Sequence, residues 1–177
     1  NATLDLLVLS HQDSDHTGGA LALRRQFPQA KVLSSITESH WLSRSMPMQR
    51  CEAGQTWTWD GVVFDVLHPT AADDEKRLSP NARSCVVRIR AQGQTVLLTA
   101  DIEALQEQQL VQRLGLGLKA DLLLVPHHGS KTSSTEGFID TVQPRWALFQ
   151  HGHRNRYGHP AEQVVQRYVS LGIQALY

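Results

Sequence analysis

The stretch Leu4–Gly19, LDLLVLSHQDSDHTGG, decides how the rest of the chain is read. A largely apolar run ends at Ser10, and His11, Asp13, Asp15 and His16 then fall within six positions. A short apolar run bounded by polar residues has the pattern of a buried strand. A buried strand that stops and at once presents four metal-capable side chains marks a site. Two of the four are carboxylates, so the set suits hard divalent cations as well as zinc.

Working outward, three later strands are expected to end in the same way. Thr95–Ala100 runs into Asp101. Asp121–Val125 runs into Pro126, His127, His128, Gly129, Ser130 and Lys131. Arg145–Gln150 runs into His151 and His153 and, after Arg154, Asn155, Arg156 and Tyr157, into His159. Ligands of open α/β sheets bind at the carboxyl ends of strands, so the four polar ends are expected to converge. Imidazole and carboxylate both coordinate zinc, and carboxylate-rich sets also take manganese or magnesium. Two cations about 3.5–4 Å apart lower the pKa of a shared water and clamp an in-line displacement. Asp101 stands alone at its strand end, suited to bridge two ions. No Gly-x-Ser-x-Gly elbow, P-loop or Gly-x-Gly-x-x-Gly run occurs. The reading is metal-activated hydrolysis without a nucleotide cofactor.

Composition narrows the class. The 177 residues suit one domain, 1–177, with a sizeable core. With 41% hydrophobic and 19% charged residues the chain has ordinary globular balance. The formal net charge of zero argues against a broad nucleic-acid-coating surface while leaving room for a local basic groove. No run approaches the roughly 18 apolar residues that cross a bilayer. The chain starts without Met, almost directly at a buried strand, so it is expected to be a piece of a longer protein. Cys51 and Cys85 form no CxxC motif. Each reads as a packed small hydrophobe, and a disulfide stays open for an exported protein.

The remaining pattern is mixed. A helix capped by Thr17 is expected from Gly18 to about Gln26, a strand at Lys31–Ser34, and a weak helix at Glu38–Arg44. Asp60-Gly61 joins strands Thr56–Trp59 and Val62–Leu67 in a hairpin. Pro69–Asn81 reads as a long loop. In Ser84–Arg90, Cys85, Val87 and Ile89 face one way and Val86, Arg88 and Arg90 the other. Helices are expected at Glu103–Leu114, Thr135–Val142 and Pro160–Leu171, and a last strand at Ile173–Leu176. The order βαβ, hairpins, β–α–β–α–β predicts layered sheets with helices outside.

His11-Gln-Asp13-Ser-Asp15-His16 followed by Gly18-Gly19 resembles the HxHxDH signature of the metallo-β-lactamase superfamily, with Asp13 in place of the second histidine. Pro126-His-His-Gly-Ser130 and Asn155-Arg-Tyr-Gly-His-Pro160 narrow the resemblance. The three motifs in this order resemble the metallo-β-lactamase-like domain of the ComEC family of DNA-uptake channels, from Leu4 to Leu176. The resemblance implies an αββα sandwich, with a further strand pair that usually precedes the HxDxDH strand and is missing from this numbering. It implies two divalent metal ions, zinc or manganese. His11 and Asp13 would serve the first site, Asp15, His16 and His127 the second, and Asp101 both. The superfamily's remaining first-site histidine has no counterpart, since that loop offers Asn81 and Ser84, with His68 the only nearby imidazole.

The same resemblance implies a nuclease that degrades the non-transforming DNA strand. DNA and the rest of an inner-membrane channel protein would be its partners, with this domain on the periplasmic or extracellular face. Candidate catalytic residues are Asp15, Asp101 and His159. Candidate substrate contacts are Ser130, Lys131, Arg154, Arg156 and His128. Two other classes stay open: a DNA-guiding module without turnover, and a hydrolase of a small ester or phosphodiester. Helix capping and loop hydrogen bonding could account for single residues of the set, but burying so many ionisable groups without a cation is costly. His40, His68, Trp57 and Trp59 read as packing residues.

Overall fold

Leu6–Leu9 forms the expected strand (β1), paired in parallel with Lys31–Ser34 (β2). A short third strand, Gln49–Arg50 (β3), which no periodicity in the sequence marks, extends this sheet on the far side of β2. The computed structural model describes residues 3–73 and 77–177. The second sheet has seven strands among the described residues: Thr56–Trp59 (β4), Val62–His68 (β5), Val86–Ala91 (β6), Gln94–Leu98 (β7), Leu122–Leu124 (β8), Trp146–Leu148 (β9) and Gln174–Leu176 (β10). From β4 to β7 the pairing is antiparallel; from β7 to β10 it is parallel. Strands β7, β8 and β9 therefore end at one edge, and the loops leaving them emerge on the same side.

Six helices flank the sheets among the described residues: Ser14–Thr17 (α1), Ala20–Gln26 (α2), Trp41–Ser45 (α3), Ala104–Leu114 (α4), Glu136–Val142 (α5) and Glu162–Ser170 (α6). Three apolar clusters fill the spaces between four layers. Leu9, Ala20, Val32, Leu42 and Met46 pack the small sheet against α2 and α3. Leu33, Cys51, Val66, Cys85 and Val87 lie between the two sheets. Leu97, Leu110, Leu123, Ile139, Ala147 and Val164 pack the large sheet against α4, α5 and α6. This is the αββα sandwich. The alternation in β6 follows the pleat: Cys85, Val87 and Ile89 enter the space between the sheets, while Val86 faces the helices. Arg88 and Arg90 both pair with Asp65 on that face.

Several boundaries differ from the sequence reading. The first helix breaks in two, with Asp13 in the extended N-cap position of α1, because Asp13 O accepts from His16 N and Thr17 N at 3.0 Å. Thr17 is therefore no cap; its hydroxyl also donates to Asp13 O. The predicted loop from Pro69 contains two short 3-10 turns, Ala71–Asp73 and Asn81–Arg83, while residues 74–76 lie outside the described residues. Cys51 and Cys85 are buried and joined in a disulfide that ties the end of β3 to the start of β6. Trp57 stacks on Phe64, with ring centroids 5.1 Å apart, and Trp59 meets Phe64 at an angle, covering the sheet as expected.

Candidate metal centre

The first donors come from the small sheet. After β1, the single turn of α1 folds Asp15 and His16 back over the strand end. Ser10 Oγ lies 3.1 Å from both His11 Nδ1 and His16 Nδ1. A hydroxyl oxygen has two lone pairs, so it can accept from both Nδ1–H groups and turn both Nε2 atoms toward Asp101. His11 is 1% exposed, and its Nε2 has no hydrogen-bond partner among the described residues. A buried, unpartnered imidazole nitrogen 3.6 Å from Asp13 Oδ2 and 3.8 Å from Asp101 Oδ2 has the surroundings of a metal ligand.

The other donors come from the large sheet. β7 leads through Ala100 to Asp101, whose backbone N–H donates to Ser84 Oγ at 3.2 Å. Ala100 O accepts from His127 N at 3.0 Å, fastening the ends of β7 and β8 together. His127 and His128 both take left-handed backbone conformations, with φ of 48° and 54°. The pair is therefore not extended, and both rings turn toward the centre instead of pointing apart. His128 Nδ1 donates to Gln150 O at 2.7 Å, which aims Nε2 inward.

Asp101 Oδ2 stands in the middle. It lies 3.2 Å from His16 Nε2, 3.4 Å from His128 Nε2, 3.8 Å from His11 Nε2 and 3.9 Å from His127 Nε2. One donor atom each from Asp15, His16, Asp101 and His128 lies within 4.8 Å of the others. Two nitrogens and two carboxylate oxygens in that space fit a small divalent cation. Asp15 Oδ2 is 3.3 Å from His128 Nε2 and 3.7 Å from His16 Nε2. The resemblance implies His127 at this corner; the four donor atoms that lie together include His128, while His127 Nε2 is 3.9 Å from Asp101 Oδ2. His127 stands on the other flank, with Asn81 Nδ2 3.4 Å from its Nε2 and the His159 ring 5.7 Å away.

The charges interlock. Burial opposes ionisation of Asp101, but hydrogen bonds from His128 and His16 outweigh it and hold the carboxyl well below the usual range. The same hydrogen bond raises His128 to about 9 against the cost of burial. Burial, with the neighbouring His16, pushes His11 down to about 4. His159 is lowered by burial and by His127, and its Nδ1 has no hydrogen-bond partner among the described residues.

The candidate substrate contacts divide. Lys131, Arg154 and Arg156 are exposed, with Arg156 lying over the Tyr157 ring. Ser130 is buried and hydrogen-bonded to Thr132, so its hydroxyl is not presented to solvent. His68 is outside the centre, its Nε2 on Ala82 O at 2.9 Å, and His40 caps α3. Ser10 and Ser84 orient the ligands; Ser10 carried no signal beyond preceding His11, and Ser84 stood out only as a residue of the loop that lacks the histidine.

A profile of the metallo-beta-lactamase superfamily matches residues 1–153. The chain belongs to that superfamily. Competence protein ComA of Neisseria gonorrhoeae is 38% identical over 173 residues, covering 98% of this chain and 24% of ComA. Recombination protein 2 of Haemophilus influenzae is 36% identical over 169 residues, covering 93% of this chain and 20% of the relative. These are names of the ComEC family, and the chain spans between a fifth and a quarter of their length. A metallo-hydrolase from Ignicoccus hospitalis superposes with a TM-score of 0.62 at 19% identity, covering 98% of this chain and 75% of that one, which shows a shared fold. The superfamily fold implies divalent metal binding, and the Asp15, His16, Asp101 and His128 group is the candidate site.

Proposed function

We propose that this domain is a metal-dependent phosphodiesterase acting on DNA, and that its biological role is degradation of the strand that does not enter the cell during transformation. The observation that carries the reading is Asp101 Oδ2 within 3.9 Å of imidazoles from both sheets, His11 and His16 after β1 and His127 and His128 after β8. Asp15, His16, Asp101 and His128 would hold one zinc or manganese ion, and His11, Asp13, Asp101 and His127 the other. Such ions polarise a phosphoryl oxygen and lower the pKa of water. Asp101, kept ionised by its neighbours, supplies the fixed negative charge between them. His159, neutral at physiological pH because burial lowers its pKa, can donate an N–H to a phosphoryl oxygen. Lys131, Arg154 and Arg156 offer cations to the DNA backbone.

The domain would belong to an inner-membrane channel protein and face the periplasm or exterior. No described helix is long and apolar enough to cross a membrane, so the anchoring would come from the rest of that protein. The Cys51–Cys85 disulfide supports an oxidising compartment.

The test is cleavage of end-labelled DNA by purified protein across zinc, manganese and magnesium, with Asp101→Asn and Asp15→Asn as controls. Cleavage that needs a divalent cation and disappears in Asp101→Asn is expected. Equal activity in wild type and Asp101→Asn sinks the proposal. A second reading, a DNA-guiding module without turnover, is favoured by Asn81, whose amide stands against His127 on the first-site flank. Salt-sensitive DNA binding without cleavage under any cation would select it.

A further inference from the structure

Glu103 occupies the N-cap position of α4, yet its carboxylate makes no capping bond to that helix. It turns the other way. Glu103 Oε1 accepts from Thr132 Oγ1 at 2.7 Å and lies 3.3 Å from His127 Nδ1. Thr132 Oγ1 is itself 3.3 Å from the same nitrogen. The opposite ring nitrogen, His127 Nε2, is 3.4 Å from Asn81 Nδ2, which can only donate. Two independent neighbours thus specify one tautomer. A carboxylate accepts at Nδ1, so the proton belongs there; an amide donates at Nε2, so the lone pair belongs there.

We infer that Glu103 is a positioning residue that fixes His127 as the Nδ1–H tautomer and presents its Nε2 lone pair to the centre. The inference rests on the metal-centre reading above. The backbone supports the arrangement: His127 N is held by Ala100 O at 3.0 Å, and Ala104 N by Thr132 O at 2.9 Å. The strand end carrying Asp101, the start of α4 and the loop carrying Thr132 are thereby locked around one imidazole. A carboxylate behind a ligating histidine raises its basicity and holds its ring, and losing such a partner commonly costs 10–100-fold in metal affinity. Glu103 therefore makes His127 a further nitrogen donor beside Asp101, on the flank where the superfamily's loop histidine is missing.

The test uses metal-free protein, so it is independent of any substrate. Long-range proton–nitrogen spectra of uniformly labelled protein report each imidazole's tautomer, with His127→Gln supplying the assignment. Wild type is expected to show Nδ1–H at His127. Glu103→Gln, which keeps an acceptor oxygen, retains it. Glu103→Ala, which leaves Asn81 as the neighbour favouring that form, is expected to admit a measurable Nε2–H population at His127 and to weaken zinc binding about 10–100-fold, measured by competition with a chromophoric chelator. An Nε2–H tautomer in wild type, or an unchanged tautomer in Glu103→Ala, overturns the inference. If Glu103→Ala fails to fold, Thr132→Val carries the test. Loss of the hydroxyl that aligns the carboxylate is expected to weaken zinc severalfold, and undiminished affinity counts against it. Failure of the nuclease assay alone would leave these spectra unchanged.

Discussion

Removing the Cys51–Cys85 bridge tests how the two sheets are held together. The bridge closes a ring of 34 residues and crosses the space between the sheets. In the chain-entropy account a ring of that size stabilises the native state by about 3.8 kcal/mol at 25 °C. Spread over a chain of 177 residues, that corresponds to a fall in Tm of about 10 °C. The effect should also reach the centre. Cys85 N donates to Ser10 O at 2.9 Å, and Ser84 Oγ accepts from Asp101 N, so the bridge anchors the segment beneath both flanks. The assay is thermal and urea unfolding of wild type and the Cys51→Ala/Cys85→Ala double variant under non-reducing conditions, with and without zinc. The metal-free protein should lose more than the loaded one, because the bound ion spans the same sheets. Melting curves that agree within about 2 °C would refute the reasoning, since rings of this size should be worth several times that.

Three further outcomes are expected from the geometry. His128, raised to about 9 by Asp101, must lose its proton to bind metal. Zinc affinity should therefore climb up to about tenfold per pH unit from pH 7 toward 9, with proton release seen by calorimetry in two buffers. In metal-free protein the sign reverses: the contribution of the His128 pair is full below about pH 6.5 and is lost as pH rises through about 9. Gly129→Ala should cost about 2 kcal/mol or more and weaken metal binding, because φ is +81° there and the new Cβ would lie 2.7 Å from Pro160 Cβ; urea unfolding and chelator competition measure both. Glu107→Ala should cost about 2–4 kcal/mol in urea unfolding, because the buried carboxylate accepts from Ser134 N and Thr135 N at 2.5 and 2.8 Å and alanine leaves both amides unpaired.

The parts of the fold that the sequence disclosed are those set by local pattern. The apolar runs before Ser10, Asp101 and Pro126 end where strands end, and parallel order from β7 to β9 brings their polar sequels together. The alternation in β6 and the Asp60-Gly61 hairpin arise from pleat and turn chemistry. β3 was hidden because Gln49 and Arg50 have no strand character; pairing with β2 alone makes them a strand. The inward turn of both His127 and His128 was hidden because two non-glycine residues with positive φ cannot be inferred from a Pro-His-His-Gly run. The disulfide partners lie 34 residues apart, and only tertiary structure brings their Cα atoms to 6.0 Å. Glu103 was read only as the start of the helix Glu103–Leu114; its turn toward His127 depends on Thr132, which is distant in sequence.

The centre is assembled across a seam. His11, Asp13, Asp15 and His16 belong to the small sheet, while Asp101 and His128 belong to the large one. Whatever cation binds there rivets one half of the sandwich to the other, so ligand supply and mechanical cohesion become a single quantity. At a free concentration a thousand times its dissociation constant, such an ion adds about 4 kcal/mol of resistance to unfolding. A cell could thus tune how long this domain survives simply through the metal its compartment provides.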